Sequence, residues 1–127
     1  MNGHIDVVPV GDLSTWKRNK DPFSGDLDEQ GEKLYGRGVT DMKGGHFAAL
    51  FAIQTLQALG IILKGNVIYQ SVVEEESGGA GTLSTILKGY KADVALVTEP
   101  TGLKIFPKQQ VLKKILIQCF LENIYST

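Results

Sequence analysis

The chain has 127 residues, 43% hydrophobic and 21% charged, which is ordinary globular usage and enough length for one domain at most. Thirteen basic residues against fourteen acidic ones leave a net charge of −1, which excludes the basic field of a nucleic-acid or anionic-lipid binder. The longest apolar run, Phe47 to Ile53, falls far short of the ~20 residues that span a bilayer. The opening Met1-Asn2-Gly3-His4-Ile5-Asp6 has no basic or apolar leader segment, and a lone Cys119 excludes an internal disulfide framework and reads as a small buried hydrophobe. The expected compartment is the cytoplasm, with no nucleic-acid and no membrane partner.

His4 to Pro9 reads as a strand ended by proline. It starts almost at residue 1, so nothing is expected to cover its edge. Residues 10–32 are polar, carry Pro22, Gly25 and Gly31, and read as a long loop around Trp16 and Phe23; Lys33 to Gly36 reads as a short strand. From Thr40-Asp41 to Gly60, Phe47, Leu50, Phe51, Ile53, Leu56 and Leu59 sit among alanines. A helix apolar nearly all round is expected to be buried.

Asn66 to Val73 is β-branched and aromatic and predicts a strand. A second helix is expected from about Gly81 to Lys88, with Gly89 as its stop. Ala92 to Thr98 predicts another strand and Leu103 to Phe106 a shorter one. The alternation predicts an α/β fold, a largely parallel sheet with flanking helices. Val111 to Thr127 has no glycine or aspartate and is dense in Leu and Ile. It reads either as a C-terminal amphipathic helix or as a reading frame that has left its course.

Glycine is abundant, 15 of 127, and clustered at Gly36, Gly38, Gly44 and Gly45 and at Gly78, Gly79 and Gly81, a sign of tight turns and close backbone approach. In an open α/β sheet, ligands bind beyond the carboxyl ends of the strands. The acids gather there. Glu74, Glu75 and Glu76 follow the strand ending at Val73, Glu99 follows Thr98, and Asp41 opens the first helix. His4 and Asp6, two apart on a strand, share a face.

Each of these acids taken singly reads as a solvated surface charge. Together they do not, because three successive glutamates repel one another unless a positive charge sits among them. The nearest basic residues along the chain are Lys64 and Lys88. A divalent cation supplies the missing charge, and one histidine with several carboxylates suits zinc.

Four ordered segments carry a family resemblance: Gly3-His-Ile-Asp-Val-Val-Pro9, Gly36-Arg-Gly-Val-Thr-Asp-Met-Lys-Gly-Gly45, Glu74-Glu-Glu-Ser-Gly-Gly79 and Thr98-Glu-Pro-Thr101. With Trp16 and Asp21-Pro22-Phe23 between them, the chain resembles the zinc-dependent amidohydrolases that include acetylornithine deacetylase, succinyl-diaminopimelate desuccinylase, aminoacylase and carboxypeptidase G. The resemblance implies a zinc-exopeptidase-like α/β fold, present here incompletely, with residues 1–110 as part of the catalytic domain and 111–127 as an atypical tail. It implies two zinc ions, with cobalt as an alternative. His4, Asp41, Glu76 and Glu99 are then the metal ligands, Asp41 bridging. Asp6 orients the His4 imidazole, and Glu75 is the general base. Glu74 has no direct role.

The implied reaction is hydrolysis of the amide of an N-acyl amino acid or small peptide, acetylornithine deacetylase-like from the wording of the motifs. The family also carries segments ahead of the His4 strand, a late metal-binding histidine and a dimerisation domain that lends a histidine to the substrate site, and none of these is found in the sequence. The expectation is therefore a part of such an enzyme with little or no amidase activity of its own, and the competing reading is an inactive remnant that at most binds zinc weakly.

Two other classes fit less well. Gly79-Ala-Gly81 and Gly36-Arg-Gly38 both lack the third glycine of a dinucleotide fingerprint, where Ser84 and Asp41 stand instead. Ser77 lacks the leading glycine of a nucleophile elbow. His46, near the start of the first helix, reads as packed or solvated rather than catalytic.

Overall fold

The computed structural model describes residues 1–18, 21–102 and 104. The expected strand at 103–106 (Lys104 apart) and the tail at 111–127 lie outside the described residues.

The architecture is α/β, built on a parallel pair of short strands. Strand β1, Asn2–His4, pairs in parallel with β4, Gln70–Val72, in the register Asn2↔Gln70, Gly3↔Ser71 and His4↔Val72. On its other side Asn2 bridges in parallel to Val97, with the Asn2 amide donating to the Leu96 carbonyl at 3.0 Å. This corrects the expectation of an uncovered β1: the strand lies between the two segments that end in acids. A separate antiparallel pair, β2 (Asp26–Leu27) and β3 (Leu34–Tyr35), folds inside the loop expected over 10–32 and the strand expected after it.

The strands expected over 66–73 and 92–98 shrink to Gln70–Val72 and a single bridge at Val97. β propensity measures fit to a pleated, half-buried surface and does not supply a partner. Ahead of the ladder, Met1 bonds on both sides of Tyr69: its amino group donates to the Ile68 carbonyl at 2.6 Å and its carbonyl accepts the Gln70 amide at 2.9 Å.

Helix α1 covers Gly44–Ala58 and helix α2 Ala80–Leu87, each within a few residues of its predicted start. Helix α1 crosses β1 through His46, whose ring stacks on Tyr69 at 4.6 Å between centroids, while the Tyr69 hydroxyl donates to the His46 carbonyl at 2.8 Å. A Cβ at Gly3 would collide with the His46 ring, so β1 and α1 approach this closely only because residue 3 is glycine. His46 is thus packed, one of the two readings that its position in the sequence left open.

The core is small. Among the described residues Met42, Ala49 and Val72 are the buried hydrophobic side chains, joined by His4 and His46. The expectation that α1 is buried all round is therefore corrected: Phe47 and Phe51 are 62% and 70% exposed. Apolar residues on every face of a helix say that it can be covered on every face, not that the neighbours are at hand.

Candidate metal centre

Three parallel segments bring their carboxyl ends to one place: β1 delivers His4 and Asp6, β4 leads into Glu74–Glu76, and the segment bridged at Val97 leads into Glu99. Asp41 joins them from the start of α1. Each side chain arrives through a local device.

Asp41 lies inside a helical turn over Val39–Lys43 that begins after Gly38 in the left-handed region, φ 83°. The turn is broken by non-helical backbone at Asp41 (φ −117°, ψ 102°) and Met42 (φ −124°, ψ 23°). The result sends neighbouring side chains to different environments: Met42 is fully buried, with its sulfur accepting the His4 amide at 3.3 Å, while the Asp41 side chain stays 54% exposed toward the site.

The glutamates lie on the turn into α2. Glu74 takes a positive φ of 65°, and Gly78 and Gly79 follow at 139° and 86°. Helix α2 then packs tightly against the end of β4, where a Cβ at Gly81 would collide with the Val73 carbonyl. Glu99 is held by the close approach of α1 to the preceding residue: a Cβ at Gly45 would collide with the Thr98 carbonyl.

His4 is the centre of the cluster and 1% exposed. Its Nδ1 lies 2.9 Å from the Asp6 carbonyl and 3.4 Å from an Asp6 carboxylate oxygen, so a proton on Nδ1 is donated to Asp6. Nε2 faces Asp41 Oδ1 at 3.2 Å, Glu75 Oε2 at 3.8 Å and Glu99 Oε2 at 3.9 Å. Glu75 and Glu99 are both 18% exposed, so these carboxylates meet at the edge of the core rather than in open water.

The charge balance is one-sided. Burial alone would lower the His4 pKa, but the Asp6 carbonyl and the Glu99, Glu75 and Asp41 carboxylates outweigh it and raise it above the usual histidine value. The Glu76 carboxyl is raised as well, first by burial and then by repulsion from Asp41, Glu75 and Asp6, with His4 pulling the other way. Such mutual repulsion is what a divalent cation relieves.

Two sets of donor atoms lie within 4.8 Å of one another: His4, Asp41 and Glu76 form one, and His4, Glu75 and Glu99 the other. An imidazole nitrogen with carboxylate oxygens is a donor set that suits zinc. All of the expected ligands, His4, Asp41, Glu76 and Glu99, come together, as do Asp6 and Glu75. The grouping differs in one respect from the sequence expectation: the two sets share His4 rather than Asp41, and Glu75 stands among the donors.

Sequence reasoning missed a second service of Asp6. Its carboxylate accepts the backbone amides of Glu75 and Glu76 at 3.4 and 3.2 Å, so one residue fixes both the imidazole and the glutamate turn. It also missed Met42 as the floor under His4. The aspartate had a legible signal in its position two after the histidine; the methionine had none.

The fold and this cluster define an α/β protein with a carboxylate-rich group of side chains, able to hold a metal ion, at the carboxyl ends of its parallel strands. The chain belongs to peptidase family M20/M25/M40, whose family model matches residues 1–110. It is 49% identical over 105 residues to N-formyl-4-amino-5-aminomethyl-2-methylpyrimidine deformylase of Halalkalibacterium halodurans and 43% identical over 105 residues to the Bacillus subtilis protein of that name; each match covers 83% of this chain and 24% of the relative. A probable succinyl-diaminopimelate desuccinylase of Staphylococcus aureus is 37% identical over 108 residues, 84% of this chain and 26% of that one. The chain thus spans about a quarter of the length of the curated relatives it matches. No solved structure matches it. Among the described residues no helix is long and apolar enough to cross a membrane.

Proposed function

We propose that residues 1–110 form part of a zinc-exopeptidase-like catalytic domain that hydrolyses the amide of a small N-acyl amine in the cytoplasm. The observation that carries this reading is the His4 imidazole, fixed through Nδ1 by Asp6 and set with Nε2 among Asp41, Glu75 and Glu99. His4, Asp41, Glu76 and Glu99 would hold two zinc ions. When bound, the metal pair supplies Lewis acidity toward the amide carbonyl and lowers the pKa of water.

The chain's own part is proton handling and orientation. Glu75, half-buried beside His4, takes the proton of the attacking water and returns it to the leaving nitrogen as the C–N bond breaks, giving a carboxylate and a free amine. Asp6 holds the Glu75 backbone amide and the His4 ring, so base and ligand keep their separation through the reaction. Glu74 points to no role in the chemistry. The relatives' names put a formyl and a succinyl amide beside the acetyl amide expected from the motifs, and the shared class is a small acyl group on a primary amine.

A second reading is favoured by the small core and the exposed Phe47 and Phe51: this chain binds zinc and turns over no substrate. Zinc-loaded chain assayed on N-formyl, N-acetyl and N-succinyl amines separates the two. Turnover that Glu75→Gln lowers by at least about 100-fold, with zinc retained, supports the hydrolase. Zinc uptake without turnover supports the second reading, and failure of folded chain to take up zinc overturns both.

A further inference from the structure

Beside the metal centre lies a cavity of about 200 Å³. Val8 contributes from the segment after β1, the turn 36–40 contributes from the other side, and Asp41 and Glu76 complete the lining. Nothing in the β1–β4 ladder ties the segment after β1 to that turn. Arg37 does. Its Nη2 donates to the carbonyls of Pro9 and Val10 at 3.3 and 3.4 Å, and its own backbone amide donates to the Pro22 carbonyl at 2.7 Å.

The guanidinium also sits over the Trp16 ring, 5.1 Å from its centroid, and the Trp16 indole donates to the same Val10 carbonyl at 3.0 Å. Among the described residues Arg37 Nε is buried with no hydrogen-bond partner, so the side chain is placed for its fork and its flat face rather than to satisfy every donor. A planar cation that bridges two carbonyls and stacks on an indole is a geometric device that a lysine does not reproduce.

We propose that Arg37 is a positioning residue for substrate: it pins segment 8–16 to the turn 36–40 and so sets the shape of the cavity in which the acyl amide lies beside Asp41 and Glu76. It acts on the cavity wall and not on the metal ligands. The substrate half of this inference rests on the hydrolase reading; the structural half does not.

Trp16 is the single tryptophan of the chain, so its indole N–H gives one resolved proton resonance in the intact 127-residue protein. In Arg37→Ala, exchange of that proton with water should rise about ten-fold while the ladder amide of Ile5, which donates to Val72, exchanges at its original rate. In zinc-loaded protein the same variant should weaken N-acetylglycine about ten-fold and leave zinc affinity within about two-fold. Arg37→Lys should fall between the two, because it keeps the charge and loses the fork.

Indole exchange unchanged in Arg37→Ala, acceleration spread equally to Ile5, or full rescue by lysine each overturns the proposal. A parallel loss of zinc affinity overturns it as well, by placing the effect on the metal cluster. Wild-type protein that takes up zinc and never binds N-acetylglycine contradicts the hydrolase reading, and the exchange measurement then still decides the pinning.

Discussion

His4 and His46 are both buried, and their environments push them in opposite directions. The carboxylates around His4 overcome its burial and raise its pKa, whereas His46 is lowered, first by burial and then by the His4 charge. A raised histidine binds its proton more tightly folded than unfolded. In metal-free protein its contribution to stability is therefore full below the ordinary value of 6.5 and is lost as pH rises through the raised folded value. His46 contributes the reverse, present above 6.5 and lost as pH falls through its lowered value. Urea midpoints of metal-free chain should decline as pH rises from 6.5 through the raised His4 value, and His4→Gln should flatten that decline; a decline of equal size in the variant contradicts the assignment.

Glu74 shows the opposite case, a residue whose side chain matters less than its backbone. It is the one non-glycine at positive φ among the described residues, and its carboxylate receives a Ser77 hydroxyl at 3.3 Å. A non-glycine in the left-handed region costs about 1 kcal/mol or more, so Glu74→Gly should raise stability by about 0.5–1 kcal/mol with zinc affinity unchanged. Chemical denaturation with and without zinc measures both. A fall in stability would mean that the side chain holds the turn.

At the scale of elements, the glycines decide how closely helices approach strands. Gly45 brings α1 against the Thr98 carbonyl, directly before Glu99. Because the obstacle is backbone, Gly45→Ala should cost about 1–3 kcal/mol and weaken zinc together with stability, since Glu99 shifts with Thr98. Thermal melts of the apo and zinc-loaded variant check this, and an unchanged melting temperature would contradict it. Gly60 has open space around its Cβ position, so its loss tests only its positive φ.

Helices α1 and α2 and the acidic strand ends were legible in the sequence because apolar runs, glycine stops and charge placement are local signals. The partners of β1 were not. That β1 lies between β4 and the segment at Val97 follows from pairing of residues about 70 and 95 positions apart, which no local pattern encodes. The same holds within the site. His4, Asp6, Asp41, Glu75, Glu76 and Glu99 were singled out by their places at strand ends together with the family resemblance, whereas the grip of Asp6 on the glutamate amides and of Arg37 on the Pro9 and Val10 carbonyls depends on loop paths.

At the scale of the molecule, the core among the described residues is thin and α1 presents Phe47 and Phe51 to water. Large exposed aromatics on one helix favour self-association. Phe51→Lys, at a position 70% exposed, should change stability by less than about 0.5 kcal/mol and raise the concentration at which the chain stays monodisperse. Light scattering against concentration gives the answer; a large loss of stability would show that Phe51 is covered in solution.

The site is built from strand ends and turns. Residues from four separate segments meet at His4 Nε2, and a bound cation would cross-link them. Metal and fold should therefore be coupled, with zinc raising the unfolding midpoint.

The most direct measurement is a calorimetric zinc titration of the intact, folded chain beside its Asp41→Ala and His4→Ala variants. Stoichiometric zinc uptake by the wild type, weakened about 100-fold or more in each variant while circular dichroism stays unchanged, is the predicted result. A folded wild type that takes up no zinc, or variants that bind it as tightly as the wild type, would contradict the metal centre.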